Sequence, residues 1–196
     1  MDQPPRRPIL TSLPNILTYA RIIAVPVLAG FLFFYPHSAN ARWAAFALFV
    51  VACITDWLDG YLARIWEQQS NLGRMLDPIA DKLLVGAVLL MLVYDQTISG
   101  WSIWAAIIIL SREILVSGLR EFLAELNVKI HVTQLAKWKT TFQFIALALL
   151  LAGPAVRAYV PDVSELGIFI LWISAVLTLF TGYDYLKAGF RHAMEP

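Results

Sequence analysis

Cysteine, histidine and charge are all scarce in this chain, and each shortage removes a class of function. Cys53 is the only cysteine among 196 residues, so no disulfide can form within the chain. It sits in an apolar run, where a lone thiol serves as a small packing hydrophobe. The three histidines, His37, His131 and His192, are scattered over loop and terminal positions. With no His or Cys cluster, a zinc centre is not expected. Charged residues make up only 15% of the chain, against about a quarter in soluble domains. The formal net charge of +1 names no partner, and no nucleic acid is expected. Internal repeats, heptads and a Gly-x3-Gly face are lacking as well.

Apolar sequence is what the chain has in abundance. Hydrophobic residues are 59% of it, and the mean hydropathy is +0.67. A soluble domain of this size has too little interior to hide so much apolar side chain. The expected fold is therefore all-α: an integral membrane bundle of six transmembrane helices, forming a single domain over residues 1–196. The spans are roughly 14–35, 41–63, 75–94, 100–123, 134–153 and 165–187, each near the ~20 residues that cross a bilayer. Arg6 and Arg7 ahead of the first span give it the look of a signal peptide. However, its apolar segment exceeds the usual ~7–15 residues and no small-x-small cleavage site follows, so it reads as a retained helix.

Lys and Arg placement sets the orientation. Six spans put both termini on one side, together with Arg6, Arg7, Arg64, Arg74, Lys129, Lys187 and Arg191. The other side has Arg42 and Arg157 in its loops. Both termini and the connection between helices two and three are thus expected to be cytoplasmic.

That connection is flanked by the most unusual residues of the chain. Asp56, Asp59, Asp77 and Asp81 fall within 26 positions bordered by apolar sequence. Carboxylates near hydrocarbon are costly unless cations meet them. Asp56 and Asp59 share a helix face, as do Asp77 and Asp81, so two helices could hold two cations between them. Oxygen-only ligands favour Mg2+ or Mn2+. Gly60, beside Asp59, would let a ligand group approach the backbone, and Arg64, one turn on, could bind a phosphate or a base. Pro78 is expected in the first turn of helix three. Other polar residues gather at the same depth: Asn15, Thr18 and Arg21 in helix one; Ser111, Arg112, Glu113, Ser117, Arg120 and Glu121 in helix four; Lys137, Lys139, Thr140, Thr141 and Gln143 in helix five. Together they suggest a cavity open to the cytoplasm. Metals with nearby arginines point to phosphoryl-type transfer. A cation transporter is the competing class, disfavoured by the site's place at one membrane face and the lack of repeats.

The pattern Asp56-x2-Asp59-Gly60-x2-Ala63-Arg64-x8-Gly73-x3-Asp77-x3-Asp81 resembles the full motif of the CDP-alcohol phosphatidyltransferase family at every fixed position. The resemblance implies two divalent metals on the four aspartates and Asp81 as general base. It further implies a cytidine nucleotide at Gly60, Arg64 and Gly73, release of CMP, and a homodimer in a bacterial inner membrane. The flanking stretches Pro14-Asn15-x2-Thr18-x2-Arg21-Ile22, Arg112-Glu113-Ile114 and Lys137-x-Lys139-Thr140-Thr141 are similar to the branch that joins CDP-diacylglycerol to sn-glycerol 3-phosphate. An acceptor with its own phosphate needs cations besides the metals. Arg112, Arg120 and Lys137 would supply them, with Asn15, Thr18 and Arg21 assigned to the same acceptor. Glu113 and Glu121 would orient the arginines or offset their charge. Within the family, inositol phosphate would also require these cations, whereas serine or phosphatidylglycerol would not.

Overall fold

The side chains of this protein are distributed as they are when lipid is the solvent. A computed structural model describes residues 13–65, 71–125 and 134–193. Across them Ile23, Phe34, Leu90, Ile114, Phe169 and Phe180 are exposed, while Arg21, Lys139, Gln143, Ser174, Thr178 and Thr181 are buried. Six α-helices account for nearly all of the described residues: α1 Leu13–Phe34, α2 Ala39–Ile65, α3 Asn71–Tyr94, α4 Ile103–Glu125, α5 Gln134–Val156 and α6 Val163–Ala193. A 3-10 turn at Gly100–Ser102 leads into α4.

Five of these helices are long and apolar enough to cross a membrane. α3 has the length, 24 residues, but carries Arg74, Asp77, Asp81 and Lys82 in its N-terminal half. It also begins earlier than the sequence suggested. Pro78 therefore lies inside the helix, and not in its first turn. A proline there frees one backbone carbonyl, which membrane helices tolerate when neighbouring groups satisfy it. Arg42, expected in an outer loop, is instead buried in the first turn of α2. That helix starts earlier because Ser38 caps it, its Oγ accepting from Ala41 N at 3.4 Å. α5 likewise runs through Gly153-Pro154 to Val156.

By packing, the described residues form two units, one ending at Met91 and one starting at Leu92. In the first, α1 packs on α2, with Leu28, Leu32, Ala45 and Phe49 fully buried. Their short connection ends in exposed aromatics, Phe34, Tyr35 and Trp43, as at a membrane–water boundary. In the second unit α6 packs on both α4 and α5. Leu147, Leu150, Leu151, Leu171 and Ala175 are buried there, and Trp101, Trp104 and Tyr159 are exposed around the connecting turns.

Two glycines set how closely α5 and α6 approach. A Cβ on Gly167 would lie 2.9 Å from Leu150 Cγ, and one on Gly153 would collide with Ser164 Oγ and stand 3.2 Å from its Cα. Small residues at such crossings let helix backbones meet when no hydrophobic effect drives them together. Gly167→Leu is therefore expected to lower the melting temperature in detergent, in line with an overpacking cost of about 1–3 kcal/mol. Gly118→Ala, where a new methyl meets nothing within 4 Å, should leave it unchanged or slightly raised.

Candidate active site

Within the first unit, α1 brings the aspartates together. Asn15, Thr18 and Arg21 recur every third residue on one face of α1, and all three are buried. Thr18 Oγ1 donates to Asp77 Oδ1 at 2.6 Å. Arg21 Nη1 stands 2.6 Å from Asp56 Oδ1 and 3.3 Å from Asp81 Oδ1. The side chain of Arg21 is fully buried, whereas those of Asp56 and Asp81 are 33% and 42% exposed. The guanidinium thus forms the floor of the cluster and the carboxylates its open side. Asp56 comes from α2, and Asp77 and Asp81 from α3, four residues apart on one face.

This donor set suits a hard divalent ion. One guanidinium shared by two carboxylates leaves the cluster electronegative, and Asp77 adds to that. Among the described residues no three His, Cys, Asp or Glu side chains converge tightly enough to hold an ion unaided. The fourth aspartate of the motif, Asp59, lies in the α2 backbone, but its side chain is outside the described set, as are those of Arg64 and Lys137. Gly60 lies in the same helix and Gly73 in the first turn of α3, where it is buried.

A second polar cluster forms in the unit of α4, α5 and α6. Arg112 and Arg120, two turns apart on α4, both reach Tyr185 of α6. Their guanidinium carbons are 6.0 and 5.5 Å from its ring centre, and Arg120 Nη2 donates to its hydroxyl at 3.2 Å. Arg112 Nη2 donates to Thr181 Oγ1 at 3.0 Å, and that hydroxyl donates onward to the Leu177 carbonyl at 3.0 Å. Gly182 makes room for the arginine: a Cβ there would sit 3.2 Å from Arg112 Cγ. On the other flank, buried Lys139 pairs through Nζ with Glu113 Oε1, which also lies 3.5 Å from Arg112 Nη1. Ser174 Oγ donates to the Lys139 carbonyl at 3.3 Å.

Lys139, one of the polar residues expected at this depth, is the α5 cation of the cluster among the described side chains. The polar face of α6 is a feature the sequence expectations do not include. Ser174, Thr178, Thr181 and Tyr185 are all buried, and their spacing of four, three and four residues puts them on one side of the helix. That spacing was the available signal, masked by the high hydropathy of the span.

Apolar helices, one unit carrying an acidic cluster and the other a cationic one, define a polytopic helical membrane protein. The family model for CDP-alcohol phosphatidyltransferase matches residues 11–180, and the chain belongs to that family. Among similar curated proteins, one from Rickettsia bellii is 48% identical, covering 90% of this chain and 94% of its own length. One from Cereibacter sphaeroides is 40% identical, covering 94% and 98%. One from Shigella flexneri is also 40% identical, covering 91% and 94%. Each of these relatives bears the name CDP-diacylglycerol–glycerol-3-phosphate 3-phosphatidyltransferase.

The shared guanidinium is the most exacting contact of the acidic cluster. Arg21→Leu would strand Asp56 and Asp81 as like charges. Removing one partner of a fully buried ion pair costs roughly 3–5 kcal/mol; the partly open carboxylates bring the expectation down to about 1–3 kcal/mol. Thermal melting in detergent should show that loss, and Arg21→Lys should recover only part of it, because an ammonium lacks the planar fork that spans two carboxylates.

Proposed function

We propose that this protein transfers the phosphatidyl group of CDP-diacylglycerol to sn-glycerol 3-phosphate, giving phosphatidylglycerophosphate and CMP. The observation that carries the reading is the name borne by relatives at 40–48% identity over at least 90% of the chain. Each of the two units carries a polar cluster whose chemistry suits one part of such a transfer. The acceptor hydroxyl oxygen attacks the lipid-side phosphorus, and the bond from that phosphorus to the CMP oxygen breaks. The electron pair leaves with CMP. Asp81 takes the hydroxyl proton, and Arg21 holds its carboxylate in place. Thr18 fixes Asp77 in the same way. Asp56, Asp59, Asp77 and Asp81 would hold two Mg2+ or Mn2+ ions, which when bound neutralise charge on the diphosphate. Gly60, Arg64 and Gly73 are assigned to the cytidine nucleotide. Arg112, Arg120 and Lys139, with Lys137, serve the acceptor's own phosphate, for which fixed guanidinium groups are well suited.

The aspartates are placed on the cytoplasmic side of a bacterial inner membrane, a reading supported by the Lys and Arg asymmetry of the sequence. A C-terminal fluorescent fusion should light up from the cytoplasm; a dark fusion beside an active enzyme would reverse the orientation.

Purified protein with CDP-diacylglycerol and Mg2+ should release CMP with glycerol 3-phosphate, and not with serine, inositol phosphate or phosphatidylglycerol. A chelator should stop release, and added Mg2+ or Mn2+ should restore it. Turnover with another acceptor alone would replace the substrate assignment, and metal flux into liposomes without CMP release would replace the reaction class. Asp81→Asn should abolish turnover while the protein remains folded. Substantial residual activity in that variant would remove Asp81 as the base.

A further inference from the structure

The cationic cluster already contains an anion. Glu113 Oε1 is paired with Lys139 Nζ and lies 3.5 Å from Arg112 Nη1. The Lys139 side chain is 5% exposed, that of Arg112 10%, and that of Glu113 19%. The carboxylate is therefore the most open of the three and covers two more deeply buried cations. Lys139 is nearly buried and already engaged by Glu113. Arg112 is differently placed. Its second terminal nitrogen rests on Thr181, and its guanidinium lies over the Tyr185 ring, so contacts other than Glu113 also hold its orientation.

We propose that Glu113 is the resident anion of this site, and that the acceptor's phosphate binds by displacing it from Lys139 and Arg112. The proposal rests on the reading of the acceptor as phosphate-bearing. It gives Glu113 a role in specificity. A carboxylate carries one negative charge and is tethered in place, so a free monoanion or a neutral alcohol gains little by exchanging with it. A phosphomonoester dianion brings more charge and three acceptor oxygens to the same two cations, and wins the exchange. Discrimination thus comes from a built-in competitor as well as from attraction. The partial exposure of Glu113 gives the displaced carboxylate access to water, and the Thr181 and Tyr185 contacts keep Arg112 aimed during the exchange.

Glu113→Gln keeps the shape and removes the competing charge. In the full-length protein with CDP-diacylglycerol and Mg2+, the KM for glycerol 3-phosphate should fall by roughly tenfold, the scale of one charge-assisted contact. Lys139→Ala should raise it. Inorganic phosphate should protect the variant from thermal unfolding at lower concentration than wild type, and acetate should begin to protect it too. A KM that rises in Glu113→Gln, as in Lys139→Ala, would show that Glu113 holds the cations in position, and the proposal would fall. An unchanged phosphate midpoint would also sink it. Should the variant not fold, wild type decides: phosphate must stabilise it and acetate must not, and equal protection by both overturns the proposal. The melting assay needs no turnover, so a different phosphate-bearing acceptor would refute the proposed function while leaving this exchange testable.

Discussion

A carboxylate facing hydrocarbon must find a cation, and Arg21 is where this protein first meets that demand. The residue is the one charged side chain among the described residues of α1, it is fully buried, and it is shared by Asp56 and Asp81. Three helices are tied at that point, α1 through Arg21, α2 through Asp56 and α3 through Asp81, with Thr18 and Asp77 adding a second tie. The contact holds the carboxylates of α2 and α3 in register against α1. One guanidinium between two carboxylates is the arrangement on which the proposal of a metal site rests.

The second cluster solves the opposite problem. Here cations are in excess, and they are kept by aromatic and hydroxyl groups as much as by carboxylates. Tyr185 offers its ring to two guanidinium groups and its oxygen to one of them. Thr181 takes a second contact from Arg112, and Gly182 gives that side chain its space. Such contacts fix the direction of an arginine without neutralising it.

Much of the fold was legible in the sequence, because bilayer thickness forces long apolar runs: five of the six helices have the composition of a span, and the apolar second half of α3 marks the sixth. The aspartate motif was equally plain, since helical spacing alone pairs the carboxylates. The boundaries around α3 were harder to read. Proline usually marks a helix start, but Pro78 lies well inside this one, where membrane packing tolerates it. Arg42 was misplaced for a related reason: a charge near a turn reads as a loop anchor, yet Ser38 extends the helix past it. The polar face of α6 was hidden by averaging, as four hydroxyl-bearing residues barely lower the hydropathy of a span this long.

The charged first half of α3 also bears on how the chain enters the bilayer. Asp, Lys and Arg each oppose insertion of a helix by about 2.5–3.5 kcal/mol at the membrane centre, less toward its ends. α3 carries four such residues before its apolar half begins, and alone among the six helices it falls short of the composition of a span. Its aspartates become acceptable in the membrane once Arg21 and Thr18 of α1 are there to receive them. The synthesis order provides for this, because α1 and α2 leave the ribosome first. The contact that joins α1 to the aspartates of α3 would then also serve as the receptor that seats α3 during biogenesis.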